Sequence, residues 1–213
     1  MQAPIIEKPL VHVVDDDASM RGALESLFDS VGLQAHTYAT ASDFLSTSLS
    51  DRPGCIVLDV RLPDMNGLEF QSRLIKSGVG IPVVMMTGHG DIPMSVRAMK
   101  HGAVDFLPKP FRDQDMLDAV LAAIERDRQR RVLENDDSKL KERFNTLSPR
   151  EQEVMLLVTT GKMNKQVAGD LGISEITVKI HRGAAMHKMG ARTLAELVRM
   201  SDALKPNRRG LSK

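Results

Sequence analysis

The sequence predicts an α/β doubly wound, five-stranded parallel sheet followed by a small all-α domain of four helices. Three observations predict it. Over residues 1–124, short apolar runs alternate with stretches of helical period. From residue 148 only helical period remains, punctuated by glycines. The net charge of +1 also conceals a split: residues 1–124 carry ten Lys and Arg against sixteen Asp and Glu, whereas residues 148–213 carry twelve against six. The predicted organisation is therefore an acidic domain over 1–124, a connector over 125–147 and a basic domain over 148–213, the last suited to a polyanion.

The first strand, Leu10–Val14, ends at Asp15-Asp16-Asp17. A helix over 19–31 places Met20, Ala23, Leu24, Leu27 and Val31 on one face, with Gly32 at its C-terminal end. An alternating edge strand covers 33–38 and a helix 42–49. A buried strand over 55–58 stops at Asp59, and Gly67–Lys76 is helical. The fourth strand, 81–86, ends at Thr87-Gly88; 95–100 is helical, 103–107 is the fifth strand, and a helix begins near Asp113. The connector is rich in charge. Leu133, Leu140 and Leu147 recur every seven residues with Phe144 beside them, which fits a helix of coiled-coil character. A solvated linker bending near Asn135-Asp136-Asp137 fits equally well.

In the back domain Ser148-Pro149 opens a helix, with Glu151 three residues after the serine. A short helix follows over Asn164–Leu171; Gly172 breaks it, and Ser174 caps a third helix that runs to Met189. That pattern is helix-turn-helix. A fourth helix covers 193–204. At 100° per residue, Val178, Ala185 and Met189 share one face of the third helix, and Lys179, Ile180, Gly183 and His187 fall opposite, where a major groove would lie. His181 and Arg182 flank the seam and Lys165 opens the preceding helix, positions suited to phosphates.

Composition excludes several classes. The single cysteine, Cys55, leaves no disulfide framework or multi-cysteine zinc site, and its place in an apolar strand reads as inert core. No Trp, one Tyr and six Phe leave no aromatic stacking surface. No apolar run approaches the roughly 18 residues of a membrane helix, and the N-terminus does not read as a signal peptide, so a soluble cytoplasmic protein without membrane contact is expected.

A parallel sheet delivers every strand's C-terminal end to one edge. There the sequence places Asp15 and Asp16, then Asp59, Thr87 and Lys109. Three carboxylates and one ammonium leave a charge that a divalent hard cation neutralises, and an all-oxygen ligand set suits Mg²⁺. A hydroxyl and an ammonium beside the metal make a place for a phosphoryl group. Phosphoryl transfer to or from a carboxylate is the expected chemistry. Asp17 reads as a helix cap, Asp64 and Asn66 as residues that shape the turn before a helix, and His89 as an exposed loop residue.

VVDDD, VLDVRLPDMNG, MMTGHG and FLPKPF resemble, in order, the motifs of bacterial response-regulator receiver domains, whose sheet is flavodoxin-like. The resemblance implies that Asp59 is the phosphoacceptor for a sensor histidine kinase. It implies that Asp15, Asp16, Asp59 and the backbone carbonyl of Arg61 hold Mg²⁺, that Lys109 pairs with the phosphoryl oxygens, and that Thr87 moves with Phe106 as a switch. It also implies a cis bond at Pro108 that aims Lys109. NKQVAGDLGISEITVKIHRGAAMHKM is similar to the LuxR-type helix-turn-helix, and the pairing resembles the FixJ/NarL group. Double-stranded promoter DNA, RNA polymerase and a homodimer on activation are the implied partners, with Lys165, Thr177, Lys179, Ile180, His181, Arg182 and Gly183 as DNA contacts. Gly183 departs from the family, where a larger or basic residue is common. The expected activity is transcriptional control rather than enzymatic turnover. Two rivals are a regulator whose receiver is never phosphorylated and a phosphatase with an aspartate nucleophile; Arg61, where such a hydrolase carries a second Asp, weakens the latter.

Overall fold

The computed structural model describes residues 8–88 and 92–205 of the 213, with only the backbone of 92–94. His89 lies outside the described residues. The chain divides into two compact units, Met1–Arg131 and Val132–Lys213.

The first unit is a five-stranded parallel sheet in the order β2-β1-β3-β4-β5. Its strands are β1 (Leu10–Val14), β2 (Gln34–Tyr38), β3 (Gly54–Asp59), β4 (Val83–Thr87) and β5 (Asp105–Pro108). Between them run α1 (Ala18–Ser30), α2 (Ala41–Leu45), α3 (Gly67–Lys76) and α4 (Ile92–Lys100), and α5 (Asp113–Asn145) follows. Residues of β1, β3 and β4 are buried along their whole length, as strands covered on both faces must be. One core layer packs Leu24 and Phe28 of α1 and Met116, Val120 and Ile124 of α5 on one face; a second packs Phe44, Phe70 and Leu74 on the other. Cys55 is fully buried in the first of these layers, and burial pushes its thiol up. The strand order reverses between β1 and β3, which opens the crevice at their C-terminal ends where ligands of such sheets bind.

Several boundaries differ from the sequence expectation. Helix α2 ends at Leu45 instead of residue 49, because the Ser46 and Thr47 hydroxyls bond back to the Asp43 carbonyl and compete with the helical ladder. Helix α4 begins at Ile92, three residues early, with Pro93 in its first turn, where a missing N–H costs nothing. Strand β4 begins after Pro82, which has no N–H for the ladder. The cis bond lies at Lys109-Pro110 and not at Pro108, which ends β5 paired with Thr87. Helix α5 includes Asn135-Asp136-Asp137, where the helical of the two expected readings places them. Leu147 is buried in the core of the second unit and Leu140 and Phe144, partly buried, pack against it, while Leu133 is exposed.

That second unit contains α6 (Pro149–Val158), α7 (Asn164–Leu171), α8 (Glu175–Met189) and α9 (Leu194–Leu204). Its local signals match the expectation closely. Ser148 and Glu151 form a reciprocal capping box, Ser174 caps α8, and Gly172 takes the left-handed conformation at φ 65° that ends α7; Thr193, expected as the first residue of the fourth helix, is instead the cap of α9. Val154, Val158, Val167, Val178, Ala185, Met189 and Leu197 form the core.

Candidate functional site

Register fixes the first site. Val14 pairs with Leu58, Asp59 with Met86 and Thr87 with Pro108, so Asp15, Asp59, Thr87 and Lys109 emerge at one sheet edge. Asp15 is fully buried and Asp59 nearly so; Asp16 is exposed. The Lys109 ammonium donates to Asp15 Oδ2 at 2.6 Å and to Asp59 Oδ2. The other oxygen of each carboxylate is also engaged: Asp15 Oδ1 accepts from the Asp17 N–H at 2.8 Å and Asp59 Oδ1 from the Arg61 N–H at 2.9 Å. Burial pushes the Asp15 carboxyl up, against the bonds from Lys109 and Asp17. Burial works against the Lys109 charge too, but its hydrogen bonds to the two carboxylates prevail and hold the ammonium above its usual range.

The loop beyond Asp59 is held by close backbone contacts. Gly67 donates to the Val60 carbonyl at 2.8 Å, and Arg61 bridges to Asn66, which was expected to shape this turn and caps α3. A β-carbon on Gly67 would stand 2.8 Å from the Asp59 carbonyl oxygen, so only glycine fits there without displacement. Asp64 departs from its expected role. Its carboxylate reaches across to α2, accepting from Ala41 N, Ser42 N and Ser42 Oγ, and the Ser42 hydroxyl holds its pKa down. Asp17 caps α1 through the N–H groups of Ser19 and Met20.

One oxygen from each of Asp15, Asp16 and Asp59 lies within 4.8 Å of the other two. The donor set is oxygen only, its formal charge with Lys109 is −2, and one member faces solvent, so the residues fit a hard divalent cation that keeps part of its water shell. Thr87 is fully buried, and its backbone carbonyl accepts from the Lys109 N–H at 2.7 Å. Phe106 is half-buried against the layer that includes Ala98 and Ala103. Lysine, metal-type oxygens and a buried hydroxyl thus converge where a phosphoryl group on Asp59 would need counter-charge and donors.

The second site lies on α7 and α8. Val178, Ala185 and Met189 are buried, which turns Lys179, Ile180, Gly183 and His187 to solvent. Lys165 is exposed at the start of α7. Thr177 is half-buried; its N–H bonds the Ser174 side chain at 3.1 Å and its hydroxyl lies 2.8 Å from that of Ser174. His181 is half-buried, and Arg182 donates to Asn164 Oδ1 at 3.2 Å, tying α8 to α7. Lys188, a residue that periodicity did not single out, donates to Glu151 at 2.6 Å and with Ser148 pulls that carboxyl's pKa down, fastening α8 to the start of α6.

Residues 11–121 match the family model of the response regulator receiver domain, and residues 145–201 that of the bacterial regulatory proteins of the luxR family. Nodulation protein W of Bradyrhizobium diazoefficiens is 58% identical over 197 residues, covering 92% of this chain and 87% of that protein. The transcriptional regulatory protein FixJ of Azorhizobium caulinodans is 44% identical over 191 residues, covering 90% of each chain. Among solved structures, the response regulator StyR superposes with a TM-score of 0.81 at 47% identity, covering 92% of this chain and 98% of its own. The chain belongs to the FixJ/NarL-type response regulators, in which a receiver domain is joined to a LuxR-type helix-turn-helix DNA-binding domain that regulates transcription.

Proposed function

We propose that Asp59 accepts a phosphoryl group from a phosphohistidine of a sensor kinase and that the phosphorylated chain binds promoter DNA as a homodimer. The observation that carries this reading is the Lys109 ammonium bridging Asp15 and Asp59 at the strand ends. An Asp59 carboxylate oxygen attacks phosphorus, the P–N bond of the donor breaks, and the imidazole leaves with the electron pair. Lys109 is already in reach of the oxygen that Asp59 presents and neutralises charge gathering on the phosphoryl group. Asp15, Asp16, Asp59 and the Arg61 carbonyl would hold Mg²⁺, which would supply Lewis-acid charge neutralisation to the transfer. Thr87 donates its hydroxyl to the new phosphoryl group, and Phe106 repacks against the layer beneath α4.

The consequence of that repacking is felt where Val96 and Met99 expose apolar surface on α4. Burying it against a second copy gives the dimer. Two recognition helices then meet two half-sites, with Lys165, Thr177, Lys179, Ile180, His181, Arg182 and Gly183 facing or flanking the groove. RNA polymerase is the downstream partner, and the cytoplasm is where kinase, DNA and polymerase meet.

The test is intact-mass analysis and light scattering of the full chain after incubation with a small-molecule phosphodonor and Mg²⁺. Wild type gains one phosphoryl group and shifts from monomer to dimer; Asp59→Asn does neither. Labelling of Asp59→Asn to the wild-type extent, or none in wild type, overturns the phosphoacceptor assignment. Labelling without dimers overturns only the dimer step.

A further inference from the structure

Helix α8 turns to solvent a stripe that the fold itself does not require. Ile176 is 70% exposed and Ile180 64% exposed. Four residues apart, they stand one turn from each other on a single face. Gly183 and His187, both exposed, continue that face, opposite the buried Val178, Ala185 and Met189. A β-carbon on Gly183 would meet nothing within 4 Å, and its φ is not positive, so neither packing nor backbone conformation demands glycine there. A mid-helix glycine costs about 1 kcal/mol relative to alanine, and a bare isoleucine leaves its apolar surface in water.

We infer that Ile176 and Ile180 read the C5-methyl groups of thymines in the major groove, with Gly183 keeping the helix surface low so that both side chains reach the base edges. The inference rests on the DNA-binding reading above and specifies its chemistry. Adenine is read by Asn or Gln and cytosine by Asp or Glu. Residues 176–187 contain none of these four types. Glu175 lies about 140° around the axis from Ile180. Arg182 is turned toward Asn164, which leaves Lys179 as the exposed cation beside the stripe for guanine or phosphate. Thymine alone among the bases offers an apolar group in that groove. The exposed cation beside the stripe, Lys179, and the stripe's lack of any carboxylate favour a polyanion over a protein surface.

Replacing thymine by deoxyuridine removes one methyl group and leaves every base-pair hydrogen bond in place. The experiment uses the full chain, treated with phosphodonor, and a duplex recovered from a random-sequence pool. Its thymines are replaced one at a time and affinity is measured at fixed salt. At two positions per half-site, deoxyuridine weakens binding by about fourfold, the worth of one buried methyl. Ile180→Ala abolishes the discrimination at one position and Ile176→Ala at the other, while Ile180→Val retains it. Indifference to deoxyuridine at every position overturns the inference while leaving DNA binding intact. So does a penalty of unchanged size in both alanine variants, which assigns the isoleucines to a protein contact. Failure to retain any duplex removes the DNA-binding reading itself, and this inference with it.

Discussion

The carboxylate of Asp127, fully buried in α5, accepts a hydrogen bond at 3.0 Å from the backbone N–H of Gly54, the first residue of β3. Arg130 and Arg131 close on the same carboxylate at 2.6 and 2.7 Å, and Arg131 reaches on to Asp51. A single acid thus satisfies a buried backbone donor and anchors the middle of α5 to the sheet. Asp127→Ala strands that donor beside two cations. A loss of about 3–5 kcal/mol is expected, as for other broken buried pairs, read from the midpoint of urea unfolding. Asp127→Asn keeps an acceptor for Gly54 and loses less.

Acid weakens the fold through His12. Its ring is buried beside Tyr38 and Phe44, and burial, with the charges of His36 and Arg52, lowers its pKa from 6.5 to about 4. The folded chain binds this proton less readily than the unfolded one, so the contribution of neutral His12 is complete above pH 6.5. It is lost progressively as the pH falls toward 4. Thermal unfolding between pH 7 and 4 shows a decline that flattens in His12→Leu over the same interval. An unchanged slope in that variant would assign the acid sensitivity to other groups.

Two glycines make opposite predictions. Gly67→Ala forces a β-carbon to 2.8 Å from the Asp59 carbonyl oxygen and the Val60 Cα, both backbone atoms, and destabilises by about 1–3 kcal/mol while slowing phosphodonor labelling. Gly22 lies within α1 with nothing within 4 Å of an added β-carbon. Gly22→Ala therefore stabilises by about 0.5–1 kcal/mol, measured by the same denaturation curve, with labelling unchanged.

Removal of Lys109 exposes the charge balance of the acidic pocket. Lys109→Ala leaves Asp15 and Asp59 without the ammonium that bridges them. The variant is less stable than wild type in EDTA, and added Mg²⁺ raises its melting temperature by more than it raises that of wild type, because each tenfold gain in affinity adds about 1.4 kcal/mol at saturating metal. Labelling by phosphodonor falls at least tenfold. Equal metal responses in the two proteins would mean that the lysine and the cation do not share the same carboxylates.

The sequence by itself determined what local rules govern. Buried parallel strands are continuous apolar runs, so β1, β3 and β4 were legible, and with them the convergence of Asp15, Asp59, Thr87 and Lys109, because parallel strands all point one way. Caps are local as well: Ser148, Ser174 and Gly172 act within a few residues of themselves and stand where expected. So is the buried face of α8, which follows from 100° per residue. Tertiary structure alone decided the contacts between residues far apart in sequence. Asp64 serves α2 across 22 residues, and Asp127 serves Gly54 across 73. Leu140 and Leu147, a heptad apart by spacing, belong to a core by position. Asn135-Asp136-Asp137 remain helical within the 33 residues of α5, although such side chains compete for the backbone when a segment is free to turn. Periodicity shows which face of an element is apolar; which neighbour covers that face, and which buried donor an acid must satisfy, is decided only when the chain closes on itself.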